Sequence, residues 1–142
     1  MTGRMDDTTG RMDDDLARAL QPVLADLAGP GGVLPEIRDE PWTDLPDTAS
    51  VMLYAADGSG QGVSVDLGLT PVARVVAVAD QVQEWAIEAL WSAGRPTNWP
   101  PCDRHPVAHP ATAREQAGRA VWACPVTGTE VAGIGHVHEA VR

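Results

Sequence analysis

Cys102, His105, His109 and Cys124 are the residues of this chain best suited to chemistry. They comprise both cysteines and two of the four histidines among 142 residues. They fall in two short segments, Trp99-Pro-Pro-Cys-Asp-Arg-His-Pro-Val-Ala-His109 and Trp122-Ala-Cys-Pro-Val-Thr-Gly128. Thiolate sulfur and imidazole nitrogen are soft to borderline donors, and a Cys₂His₂ set suits tetrahedral zinc. A C-x-x-H turn with a histidine four residues on supplies three donors, so Cys124 has to arrive from the second segment. Zn²⁺ held by all four is expected to be structural, because a hydrolytic zinc keeps one position open for water. A metal-free loop of solvated histidines beside prolines is the competing reading.

Other chemistries find no support in the residues. Pro101-Cys-Asp-Arg-His105 is close to the P-C-x-x-C half of zinc nucleoside deaminases, but that reaction needs an upstream H-x-E, and no histidine precedes His105. No nucleophile elbow surrounds Ser50, Ser59, Ser64 or Ser92. Phosphate loops and dinucleotide fingerprints are absent from the sequence as well. His136 and His138 form a possible weak metal pair if the C-terminus is a strand, against the plainer expectation of a frayed tail.

Composition narrows the class further. The chain is 44% hydrophobic and 21% charged, which reads as one globular domain with a core of its own. The net charge of −10 is unevenly placed. Residues 1–48 hold eleven acids against four arginines, residues 49–94 five against one, and residues 95–142 four against five. An acidic body repels phosphate backbones, so nucleic acid is disfavoured as a partner. No apolar run is long enough to span a bilayer, and aspartates stand where a signal peptide would be basic. The expected location is therefore cytoplasmic, where thiols stay reduced and serve better as ligands than as a disulfide. Arginine provides every basic side chain and phenylalanine is missing, a bias in keeping with a GC-rich bacterial genome.

The elements that must position the four donors can be read in order. Thr2-Gly-Arg-Met-Asp-Asp7 is repeated as Thr9-Gly-Arg-Met-Asp-Asp14, and residues 1–14 are expected to be a disordered tail ahead of one domain, 15–142. Leu16, Ala19, Leu20, Val23, Leu24 and Leu27 follow at helical spacing, with Pro22 inside the pattern and Gly29-Pro-Gly-Gly32 as the stop. Val33–Trp42 suits an edge strand, leading into a loop through Asp47. Ser50–Ala56 and Gly62–Leu67 flank Asp57-Gly-Ser-Gly-Gln61 as a hairpin. Thr70 and Pro71 then open a helix over 70–92. Val72, Val75, Val76, Ala79, Val82, Ala86, Ala89 and Leu90 form its apolar stripe, and Arg74, Asp80, Gln81, Glu84 and Glu88 its wet side. Beyond an arginine-bearing loop, Ala120–Ala123 and Thr129–Ile134 read as strands around the Cys124–Gly128 turn.

Residues 99–135, with Pro beside Cys124, Gly128 closing that turn and Trp122 just before it, resemble a zinc ribbon. That family sets two knuckles, usually C-P-x-C-G, at the bases of β-hairpins. The chain departs from the pattern in having His105 in place of the second cysteine and Thr127 in place of the fourth, so the resemblance implies a zinc ligand set completed by His109. The fold class expected is α+β: two main helices packed on a small antiparallel sheet, closed by a zinc-ribbon-like C-terminal hairpin.

Such a molecule is expected to be a non-enzymatic adaptor whose partner is another protein. Trp91, Arg95, Asn98 and Trp99 are the expected contact residues, because Gly94 and Pro96 hold their loop open beside polar donors. Trp85 and Trp122 are assigned to the core. An acidic inhibitor covering a basic enzyme through residues 36–48 and the exposed helix face is the alternative. A zinc hydrolase comes last.

Overall fold

The computed structural model describes residues 12–140, so most of the repeat and of the expected tail, residues 1–11, lies outside the described residues. Asp13 caps helix α1 (Asp14–Leu27), its carboxylate accepting the N–H groups of Asp15 and Leu16. Leu16, Ala19, Leu20, Val23 and Leu27 are buried as their spacing requires, and the helix continues through Pro22. Strands β1 (Glu36–Arg38), β2 (Thr48–Tyr54) and β3 (Gly60–Asp66) form an antiparallel sheet in the order β1-β2-β3. The edge strand is thus much shorter than the 33–42 expected, and each hairpin strand begins two residues earlier. Val51, Leu53, Val63 and Val65 point into the core from β2 and β3.

Helix α2 (Pro71–Ser92) is capped by the Thr70 hydroxyl and packs against α1, β3, β4 and β5. It is the element on which the rest is assembled, with Val78, Ala79, Val82, Trp85, Ala86 and Leu90 buried. Strands β4 (Thr112–Gln116), β5 (Arg119–Ala123) and β6 (Glu130–Gly133) make a second antiparallel sheet in the order β4-β5-β6. A short helix α3 (Val137–Ala140) ends the described chain. The described residues are therefore α+β, as expected, with three helices and two small three-stranded antiparallel sheets.

Three expectations are corrected here. The arginine-bearing loop is strand β4, joined to β5 by Ala117 and Gly118 at φ 53° and 76°. Two consecutive left-handed residues give the twist that strand pairs need, but alanine in the first place hides the signal. Gln81, assigned to the wet side, instead copies a strand. Its amide accepts the Ser64 N–H at 2.9 Å and donates to the Ser64 carbonyl at 2.7 Å, satisfying the outer edge of β3.

The C-terminal segment is docked rather than frayed, and Asp26 is the reason. This carboxylate is fully buried and accepts from Trp122 Nε1 at 2.9 Å and from the N–H groups of Gly135 and Val137 at 2.7 and 3.1 Å. His138 Nε2 lies 3.1 Å from the Asp26 carbonyl, with its ring in the space that a Cβ on Gly29 would need. His136 pairs with Glu139, so the two histidines do not form a metal site. No helix among the described residues is long and apolar enough to cross a membrane.

Candidate metal centre

The first three donors lie on a loop whose two ends are tied together. Ala111 N–H donates to the Pro100 carbonyl at 2.8 Å, and Pro101 and Pro110 form an isolated antiparallel bridge. Gln83, buried on α2, spans the same base, its Nε2 donating to the Trp99 carbonyl at 3.1 Å and to the Ala111 carbonyl at 2.6 Å. Both donor hydrogens of one amide are thus used on the chain entering and leaving the loop. Within it, His105 N–H donates to the Cys102 carbonyl, and the N–H groups of Ala108 and His109 both reach the His105 carbonyl. This compact turn directs both imidazoles to one side. Its tip is tethered by Asn98 Nδ2, which donates to the Pro106 carbonyl at 3.2 Å.

Cys124 arrives from the end of β5. Its N–H donates to the Thr129 carbonyl, and Gly128 at φ 78° lets the chain turn back so that its own N–H reaches the Cys124 carbonyl. Thr127 N–H points at Cys124 Sγ from 3.5 Å. Hydrogen bonds from the Thr127 side chain, and next from its backbone, bring the Cys124 thiol down from 9.0 to about 6, because they favour the thiolate. The residue standing where a ribbon has its fourth cysteine therefore acts on the sulfur as a donor. The first ligand pair sits on a turn-rich loop and not on a β-hairpin, which is a further departure from that pattern.

The four donor atoms converge. One ligand atom from each of Cys102, His105, His109 and Cys124 lies within 4.8 Å of all the others. His105 Nδ1 is 3.7 Å from both sulfurs and 3.1 Å from His109 Nε2. Bonds of about 2.3 Å to sulfur and 2.0–2.1 Å to nitrogen at tetrahedral angles require donor separations of roughly 3.3–3.8 Å. The set is near that shape, although the nitrogen pair alone also suits a hydrogen bond between the rings. His109 Nδ1 lies 3.2 Å from the Pro110 carbonyl. Protonation there fixes the tautomer whose Nε2 lone pair faces the other donors. Both cysteines are free thiols and fully buried, and both histidines are half-buried. This Cys₂His₂ cluster could bind a metal ion, and its donor chemistry fits zinc.

The four expected contact residues separate. Trp91 is 74% exposed and Arg95 is exposed, whereas Asn98 is half-buried on the tether to Pro106. Trp99 is corrected: at 2% exposure it belongs to the core, its ring edge-on to Trp122 at 5.5 Å between centroids. A tryptophan inside a Pro-rich loop reads as exposed until the partner ring is known. Gln83 and Asp26 were both missed, for in sequence each is simply a polar residue on a helix. Trp85 and Trp122 are buried as expected.

Comparison with protein-family models, with curated proteins and with solved structures gives no match for this chain.

Proposed function

We propose that this chain is a non-enzymatic interaction protein whose C-terminal third is held by a structural zinc ion on Cys102, His105, His109 and Cys124. The observation that carries the reading is the convergence of four soft to borderline donors, two of them buried sulfurs, from two separate segments. Four protein ligands leave no coordination position for a water or substrate, which favours a structural over a hydrolytic role. The ribbon-like character of residues 99–135 and a cytoplasmic location belong to the same reading, since zinc thiolate sites require reduced cysteines.

Trp91, Arg95 and Asn98 are the proposed contact residues. Support comes from the exposed Trp91 indole and from the Asn98 hydrogen bond, which joins their loop to the metal-bearing loop in one surface. The acidic-inhibitor reading has its own observation. Asp80, Glu84 and Glu88 are exposed on one side of α2, and no ion pair among the described residues involves them.

The zinc reading is tested by elemental analysis of protein purified without chelator, with cobalt substitution as the spectroscopic check. One equivalent of zinc, and a tetrahedral cobalt spectrum lost in Cys124→Ser, is the expected result. Less than about a tenth of an equivalent, with no uptake on reconstitution, refutes it. Pull-downs with Trp91→Ala and Arg95→Ala test the surface, and a complex that dissolves steeply with salt favours the acidic-inhibitor reading instead.

A further inference from the structure

We propose that Cys102 and Cys124 form an oxidative modification site, in which hydrogen peroxide joins the two sulfurs as an intrachain disulfide and expels the bound ion. The release of metal rests on the zinc reading above, whereas the cross-link needs only the two thiols.

The pair is unambiguous, for the chain has no third cysteine. Both sulfurs are free and lie within 4.8 Å of each other, so a modest approach brings them to the roughly 2 Å of a bond. The chain just beyond Cys102 is able to open around the pair. Residues 103–109, which cover the sulfurs, contribute no buried side chain, being exposed except for the half-buried His105 and His109. Their loop is fixed at its base by Gln83 and the Pro101–Pro110 bridge, and at its tip by the single Asn98 hydrogen bond. A segment with so little buried surface opens locally at small cost, and opening admits a molecule as small as peroxide to thiols that are otherwise covered.

The chemistry balances without any other reactant. One thiolate attacks a peroxide oxygen, the O–O bond breaks and hydroxide leaves, giving a sulfenic acid. The second thiolate attacks that sulfur, the S–O bond breaks and a second hydroxide leaves as the disulfide forms. Two protons turn the hydroxides into water. Two electrons pass from the sulfurs to peroxide, and the zinc ion, unchanged in charge, keeps only two histidines and is lost.

Zinc-loaded full-length protein is treated with hydrogen peroxide, the freed zinc is read with a chromogenic chelator, and a non-reducing digest cut after arginine is analysed by mass. About one equivalent of zinc released is expected, together with a linked product joining the peptide that ends at Arg104 to the one that begins at Ala120. Dithiothreitol and added zinc should reverse both. Retained zinc with both thiols still alkylated overturns the proposal, as does oxidation of one cysteine to sulfinic acid with no linked peptide. Cys102→Ser must give no linked peptide within the chain. If the purified protein neither carries nor takes up zinc, the metal reading fails by itself. The linked peptide in the peroxide-treated metal-free protein then decides the thiol site, its absence counting against it.

Discussion

Replacing Gln83 by leucine separates the positioning of the metal loop from the ligands themselves. The substitution nearly conserves volume but removes the amide that donates to the Trp99 and Ala111 carbonyls on either side of the loop. Gln83 is only 7% exposed, so neither carbonyl is compensated by bulk water. At about 1–3 kcal/mol for each buried group deprived of its partner, the variant should lose roughly 2–6 kcal/mol. With a urea dependence of about 2 kcal/mol/M, its midpoint falls by roughly 1–3 M. All four ligands stay in the chain, yet the loop bearing three of them loses its clamp, and zinc affinity should fall about 10–100-fold, the usual cost of losing an outer-shell support. Competition against a chromogenic chelator, at a temperature where the metal-free variant is folded, reads this directly. Gln81→Leu is the control, because its amide bonds Ser64 on the first sheet and the Ala77 carbonyl one turn back on its own helix, away from the metal loop. It should lose stability and leave affinity within about threefold. Equal affinity losses in both variants, or an unchanged affinity in Gln83→Leu, would refute the assignment of the clamp.

Asp26→Ala strands three donors, Trp122 Nε1 and the N–H groups of Gly135 and Val137, and should cost about 3–5 kcal/mol by urea denaturation. Limited proteolysis should then cut first near residue 135. In metal-free protein, the Cys124 thiol at about 6 against 9.0 when unperturbed makes stability depend on pH. The contribution is complete above 9, shrinks as pH falls and is lost below about 6, so stability should rise with pH between those limits and Cys124→Ser should flatten the rise. Trp99→Ala should cost about 3–5 kcal/mol, whereas Trp91→Ala, at an exposed position, should move stability by no more than about 0.5 kcal/mol. Thermal unfolding of the two variants compares them directly.

What could be read in the residues alone is what local chemistry decides. Both long helices carry their own instructions, an apolar repeat of helical period and, for α2, Thr70 as a cap, and such signals act within one turn; the Asp13 cap falls inside the stretch expected to be a tail and is seen only in the structure. The β2–β3 hairpin is equally local, as is the identity of the four donors, since sulfur and imidazole are rare in this chain. Tertiary structure decided the rest. Thr112–Gln116 has little strand character and becomes β4 only because β5 offers it a ladder of partners. Gln81, Gln83 and Asp26 look like solvated helix residues, yet each meets backbone groups brought from far along the chain. Trp99 is buried because Trp122 stands beside it. A polar or aromatic side chain does not record by itself whether water or protein will face it. That depends on the carbonyls, N–H groups and rings that folding supplies, and the same convergence turned four scattered donors into one cluster.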